Sequence, residues 1–469
     1  MLSFLIDKFP KQLKLYPVAG ITALAALILF VCSSVKHALF KSTAFDLGWF
    51  DQATYLISQG QPPIVSFSGF HILGDHAAWI FYPLSLLYKI YPDVHWLFAV
   101  QAIALSLGTL PTWLLARQAG LKEPQSIAMA VVYLLYPLLF NVNLFDFHPD
   151  VIALPALLAA ILAAKLGKTK WFCLSIILIL GCKAVLSLTV AAMGFWLLIF
   201  EKKRFCGAIA LFAGIAWFII ATKLIIPYFS GHEAAAVGRY AFLGNSVFEI
   251  AQNLLLKPGI VLEKVFTLPN LEYICLLLLP VIWGLSPQHL TPLIGAIPTL
   301  LLNILTDYQL QKDLLHQYSL PALPFLLLAV ISTLSAGRGW LRNKRGIILW
   351  SLVAFLALAK FGDFSSRYLE SVDTLPATRE AISKIDTKGS VLTSAEIAPH
   401  VTHRPIVQLA IHGLNFKLTE FEYVLLNMRH PGWESDPQLV SNLVEQLKNA
   451  KEFKLTYQRD DVYLFTKKS

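Results

Sequence analysis

At 469 residues, 56% of them hydrophobic and only 14% charged, the chain is too apolar to be water-soluble throughout, because soluble domains carry about 25% charged residues. Its formal net charge of +9 does not signal nucleic-acid binding: the excess Lys and Arg lie in short connections between apolar runs, where positive charge sets orientation in a membrane. The five cysteines (Cys32, Cys173, Cys182, Cys206 and Cys275) fall in or beside apolar runs without metal-type spacing, so they read as packing residues and no disulfide framework is expected.

Taken in chain order, the first apolar run, 16–35, follows Lys8, Lys11 and Lys14. It is long enough to span a bilayer and lacks a small-residue cleavage site, so it reads as a retained anchor with a cytoplasmic N-terminus. Residues 36–95 then form an external loop in which 76–91, short and carrying Pro83, lies along the membrane surface. Spans follow at about 95–116, 125–143 and 151–166. The run 171–200 is too long for one span and divides near Cys182-Lys183. A span at 205–228, an external loop at 229–270, and spans at 271–285, 290–305, 318–335 and 346–361 complete the bundle.

This threading gives about eleven spans and places every strongly basic cluster on one side. The clusters are Arg117/Lys122, Lys165/Lys168/Lys170, Lys202-Lys203-Arg204 and Arg338/Arg342/Lys344/Arg345. A true span at 76–91 would invert all of them. The Asp and His clusters gather on the opposite, extracytoplasmic side: Asp46 and Asp51, Gly74-Asp75-His76, Asp146-Phe147-His148-Pro149-Asp150 and His316-Gln317-Tyr318.

From about 363 the charges become mixed and the apolar runs shorten to strand length, at 390–394, 405–409, 422–426 and 462–465, with helical stretches near 375–385 and 437–450. The expected fold class is therefore a mostly α polytopic membrane bundle, 1–362, with a small extracytoplasmic α/β domain, 363–469.

The string Phe45-Asp46-Leu47-Gly48-Trp49-Phe50-Asp51-Gln52 and Gly74-Asp75-His76 resemble the bacterial and archaeal membrane proteins grouped as domain of unknown function 2079. So do Tyr133-Leu-Leu-Tyr-Pro137, Asp146-Phe147-His148-Pro149, Leu243-Gly244, Pro298, and His316-Gln317-Tyr318 with Pro321 and Pro324. In the tail, Leu392-Thr393-Ser394-Ala395, Pro399-His400, Arg404 and Tyr423-Val424-Leu425 look like that family's end. The layout is similar to the C-type (GT-C) glycosyltransferases, which take a sugar from a polyprenyl-phosphate carrier. The resemblance implies an essential acid in the first external loop, falling on Asp46 or Asp51. It also implies an acidic residue after Lys183, where this chain reads Lys183-Ala184-Val185, a departure that puts activity in question.

Sugar transfer needs a base for the acceptor proton and positive charge for the departing phosphate. If 45–52 is helical, Asp46 and Asp51 point about 140° apart, so one faces the site and the other caps or pairs; Asp46 is the preferred site residue. Asp75 either joins the site with His76 or caps a helix starting near His76. In an extended strand Asp146, His148 and Asp150 project to one side, which would suit a divalent cation, magnesium or manganese. Alternatively, Pro149 opens a helix with Asp150 at its dipole. Lys183 and Arg239 are the candidate phosphate cations, with His316 and Tyr318 as substrate contacts or interface residues. The amphipathic stretch 240–256 suits a surface-lying segment.

The expected function is a glycosyltransferase using a polyprenyl-phosphate-linked donor at the outer face of a bacterial plasma membrane. Its partners are membrane lipid, the lipid-linked donor and an unspecified acceptor, with no nucleic acid. The alternatives are a transporter or lipid flippase, which the scarcity of charges within the spans disfavours, and a non-catalytic membrane assembly protein.

Overall fold

In lipid every backbone N–H and C=O must find its partner within the chain, which makes the helix the default for these apolar runs. The computed structural model describes residues 15–414, 416–432 and 435–468; Lys8, Lys11 and Lys14, on which the expected cytoplasmic N-terminus rests, lie outside them. Among the described residues five helices are long and apolar enough to cross a membrane: Tyr16–Ala38, His95–Gln118, Glu123–Phe145, Arg204–Ser230 and Gln317–Ser335. The pair Lys344–Leu358 and Phe361–Leu369 is long and apolar enough only when taken together and is bent by 50°, the geometry of a broken span or a re-entrant loop.

The remaining expected spans are shorter helices, so the structure does not establish a count of eleven. Proline accounts for much of the shortening, because it removes a backbone donor and disfavours the helical conformation of its predecessor. The run expected at 271–285 is helical as Leu268–Leu278 and stops before Pro280. The run at 290–305 opens with a 3-10 turn, Thr291–Ala296, carrying Pro292, before Ile297–Leu305. The long run 171–200 does divide at Cys182-Lys183, into Thr169–Cys182 and Leu186–Ile199.

The segment 76–91 is not one surface helix. A single turn, Leu73–His76, ends at Ala77, whose φ of 50° is left-handed, and a second helix runs Phe81–Ile90. That second helix buries Phe81, Leu84 and Tyr88 and exposes Tyr82, Leu86 and Ile90, so it is apolar on both faces and, at ten residues, too short to span. In the amphipathic stretch farther on, Val247–Leu256 and Pro258–Val265 bury none of their residues.

Leu186–Ile199 and Arg204–Ile220 form a close antiparallel pair at glycines. A Cβ on Gly207 would stand 2.7 Å from the backbone N of Leu198, and one on Gly214 would stand 2.5 Å from the Ser187 carbonyl. Small residues are what let membrane helices approach this closely. Gly207→Val should therefore separate the pair and destabilise the protein by about 1–3 kcal/mol. The expected readout is a lower apparent melting temperature in detergent, whereas Gly259→Val, whose Cβ meets nothing within 4 Å, should leave it unchanged.

Beyond the last long helix the chain builds a five-stranded sheet in the order β4-β3-β5-β7-β6. Here β3 is Val391–Thr393, β4 Val407–Leu409, β5 Tyr423–Asn427, β6 Phe453–Arg459 and β7 Val462–Lys467; β1 (Ile64–Val65) and β2 (Phe70–His71) form a separate hairpin. Strands β3, β4 and β5 are parallel, and β7 and β6 complete the sheet antiparallel. Side chains alternate across the sheet. Val424 and Leu426 of β5 pack on the helix Pro437–Asn449 through Val440, Leu443, Val444 and Leu447. Tyr423 and Leu425, on the other face, join the apolar core of the helical bundle. Asp436 starts that helix by accepting a hydrogen bond from the Leu439 N–H at 2.7 Å.

Candidate functional site

The polar residues of one end of the bundle meet around a turn. Ala44–Gly48 is a π-helical turn that leads directly into the α-helix Trp49–Ser58; such wide turns recur at functional sites. Asp46 sits in it with its side chain 25% exposed and its Oδ1 3.2 Å from His148 Nε2, while Thr43 Oγ1 donates to Oδ2 at 2.9 Å. Burial alone would raise the Asp46 carboxyl, but the His148 and Thr43 contacts and the charge of Lys36 outweigh it and hold it below its ordinary value.

Beneath this turn lies an ion pair. Lys36 Nζ is 2.7 Å from Asp146 Oδ1, with both side chains buried, and it also donates to the Phe145 carbonyl at 3.1 Å. The Thr43 N–H donates to Asp146 Oδ2 at 2.9 Å. Asp146 adopts φ 146° and ψ 174°, a region that disfavours side-chain-bearing residues and is tolerated where surroundings over-determine it. The result aims His148 at Asp46.

The second half of the site comes from the turn Leu73–His76 and the break at Lys183. The break is stitched to the turn by main-chain bonds: Ala184 N donates to the His76 carbonyl at 2.8 Å, and Ile80 N to that of Gly181 at 3.0 Å. Lys183 Nζ lies 3.5 Å from Asp150 Oδ2 and 5.7 Å from the Tyr318 ring centre. The Arg239 guanidinium lies 4.4 Å from the ring centre of Tyr308 and 5.3 Å from that of Tyr318, and donates to Gln311 Oε1 at 3.0 Å. Burial pushes the Asp75 carboxyl up to about 6, against the pull of Lys183, Arg239 and His148. His76, 3.1 Å from Asp75, is pushed well below its ordinary value by burial and by the same cations.

Asp46, Asp75, His76, Asp146, His148, Lys183, Arg239 and Tyr318 thus belong to one electrostatically connected group. His316 borders it: its ring packs on Phe145 at 4.2 Å, which in turn stacks on His148 at 5.2 Å, and Asp313 holds His316 Nδ1 at 2.7 Å. Asp51 is not part of the group. It is buried, at 1% exposure, against Tyr88, Thr402 and His403.

The expected extended array of Asp146, His148 and Asp150 is corrected. Pro149 is helical and Asp150 opens the helix Asp150–Leu166, so the three side chains diverge to Lys36, Asp46 and Lys183 respectively. Among the described residues no three His, Cys, Asp or Glu side chains gather in metal-binding geometry. Inspection of motifs alone missed Lys36, Thr43 and Tyr308. The signal for Lys36 was its position, a lysine at the non-basic end of the first span. Ala184, where an acid was expected, packs with Ala77, Ala221 and Ile226 in a small apolar cluster.

The many-helix bundle carries this polar cluster at one end and a small sheet beyond it, and its fold has a counterpart among solved membrane proteins. It is similar to the crystal structure of ArnT from Cupriavidus metallidurans bound to undecaprenyl phosphate, at a TM-score of 0.51 and 10% identity, covering 95% of this chain and 98% of that one. The apo ArnT structure aligns over the same shares at 10% identity with a TM-score of 0.45. No curated protein matches by sequence. Residues 36–464 match the model of the predicted membrane proteins DUF2079, and the chain belongs to that family.

Proposed function

We propose that this protein transfers a sugar from a polyprenyl-phosphate carrier to an acceptor at the outer face of a plasma membrane. The single observation that supports the reading is the pairing of two carboxyls of opposite character with two cations in one connected polar group. Asp46 is held ionised, whereas Asp75 titrates at about 6, and groups whose environments push them apart in this way divide acid–base work between them. The orientation proposed keeps the basic loops cytoplasmic and the polar group and C-terminal sheet outside, with the shorter helices as additional spans.

In this reading the acceptor attacks the anomeric carbon as the bond from that carbon to the carrier phosphate oxygen breaks. The acceptor proton passes to Asp75, which is within the electrostatic reach of Lys183, Arg239 and His148. The bonding electron pair leaves on the polyprenyl phosphate, whose charge Lys183 and Arg239 meet. Asp46 faces the positive charge that develops on the sugar ring. The donor set does not fit a divalent cation, so no step runs through one.

Undecaprenyl phosphate is the probe that tests the phosphate half of this site. Native mass spectrometry of the protein in nanodiscs should show it bound, and Lys183→Ala/Arg239→Ala should weaken binding at least tenfold, as loss of two charge-assisted contacts requires. Equal binding by the parent and the double variant would remove the reading.

A further inference from the structure

The helix that continues from the Asp46 turn is gripped on its other side by the C-terminal sheet region. Asp51 receives a hydrogen bond from Tyr88 Oη at 2.6 Å and another from Thr402 Oγ1, and His403 Nε2 stands 3.1 Å from its Oδ2. His403 is itself stacked on Tyr55 of the same helix, 4.6 Å between centres and 4° from parallel. The next residue, Gln52, is fully buried. Its amide donates to the Arg404 carbonyl at 3.0 Å and to Ser66 Oγ at 2.9 Å, and its oxygen accepts from Ser66 N at 2.9 Å. Ser66 Oγ then joins strand β4, donating to the Val407 carbonyl at 2.8 Å and accepting from Val407 N at 3.0 Å.

These contacts converge on one short helix, whose first residue follows directly on the turn that carries Asp46. That turn has no side-chain cap of its own, so its angle is imposed by what holds either end. His148, Thr43 and the Lys36–Asp146 pair hold one side, and Thr402 and His403 hold the other through Asp51. Both oxygens of Asp51 are engaged and its side chain is buried, so it has no approach to a substrate.

We propose that Asp51 is a positioning residue for Asp46: the C-terminal sheet region, acting through Thr402 and His403, sets where the Asp46 carboxylate stands. The proposal rests on the glycosyl-transfer reading for its consequence, because an error of about 1 Å in a reacting group costs on the order of a hundredfold in rate. The coupling itself does not depend on that reading.

The test uses the full-length protein in nanodiscs. Thr402→Val deletes one hydroxyl donor, His403→Phe keeps the ring stack but not the Nε2 contact, and Thr402→Ser retains the hydroxyl as a rescue. Hydrogen–deuterium exchange over residues 44–52 should accelerate at least tenfold in Thr402→Val and His403→Phe and return to the parent rate in Thr402→Ser. Exchange in the helix Pro437–Asn449 should stay at the parent rate in all three. In a transfer assay the same two variants should lose at least tenfold in kcat, with KM for the lipid-linked donor unchanged. Unchanged exchange over 44–52, or melting of 44–52 and 437–449 together, overturns the proposal, as does a loss confined to KM. Absence of undecaprenyl phosphate binding by the parent sinks the glycosyl-transfer reading instead and leaves the exchange result standing.

Discussion

Asparagine in place of Asp75 should slow sugar transfer by about 10²- to 10⁴-fold, the usual contribution of a positioned proton acceptor. It should also change the shape of the pH profile. Asp75 must be ionised to accept a proton, and burial raises it to about 6. The parent rate should therefore climb as pH rises through about 6 and level off above, whereas Asp75→Asn should show a low rate with no such rise. Asp46→Asn should behave differently. Its carboxyl is held below its ordinary value by His148, Thr43 and Lys36 against the effect of burial, so it is ionised across the whole range. Losing it should lower the rate at every pH and leave the inflection in place. Single-turnover release of labelled sugar from the lipid donor, followed between pH 4.5 and 8, separates the two. An inflection near 6 that survives in Asp75→Asn assigns the proton to another group.

The second large effect concerns stability. Asp146→Ala should cost about 3–5 kcal/mol, the range for stranding one partner of a buried ion pair, because Lys36 would remain buried without its carboxylate. The backbone adds a second component. With φ at 146°, alanine stays strained where glycine does not, so Asp146→Gly should recover about 1–3 kcal/mol of that loss. Lys36→Met/Asp146→Gly should recover more, because no buried charge is then left unpaired. Thermal unfolding in detergent, monitored by the folded fraction on size exclusion, ranks the parent and the three variants. Equal losses for Asp146→Ala and Asp146→Gly would show that the backbone at this position carries no strain.

Much of the bundle was legible because the apolar runs are long and the breaks are marked by Pro or Lys. The division at Cys182-Lys183 follows from a charge that no single span could accommodate. The helix Leu375–Ser383 and strands β3, β4, β5 and β7 were likewise visible from the shortening of the apolar runs to strand length. Strand β6 was not, because as an edge strand it exposes Lys454, Leu455 and Thr456 in succession and so shows no two-residue rhythm. The span count failed for a different reason: composition reports that a segment is apolar, while proline and 3-10 turns decide how much of it is one helix. Around the candidate site, residue types singled out individual acids and histidines, but their partnerships did not follow from them. That Asp46 joins His148 while Asp51 joins Thr402 and His403 depends on contacts across more than a hundred positions, which no local pattern encodes. The 146–150 segment shows the limit most plainly, since Pro149 supports both an extended and a helical reading and the fold selects the helical one.

The shared face of β5 has a consequence for biogenesis. Tyr423 and Leu425 complete a core whose other members include Phe40, Ala44 and Leu47, and the contact between Asp51 and Thr402 joins residues 351 positions apart. Contacts of such high order close late, after the entropy of a long loop has been overcome. The helix beginning at Trp49 therefore waits for the end of the polypeptide before its surroundings are finished. A ribosome that stops short of the last hundred residues leaves an inserted bundle whose first loop has never been locked.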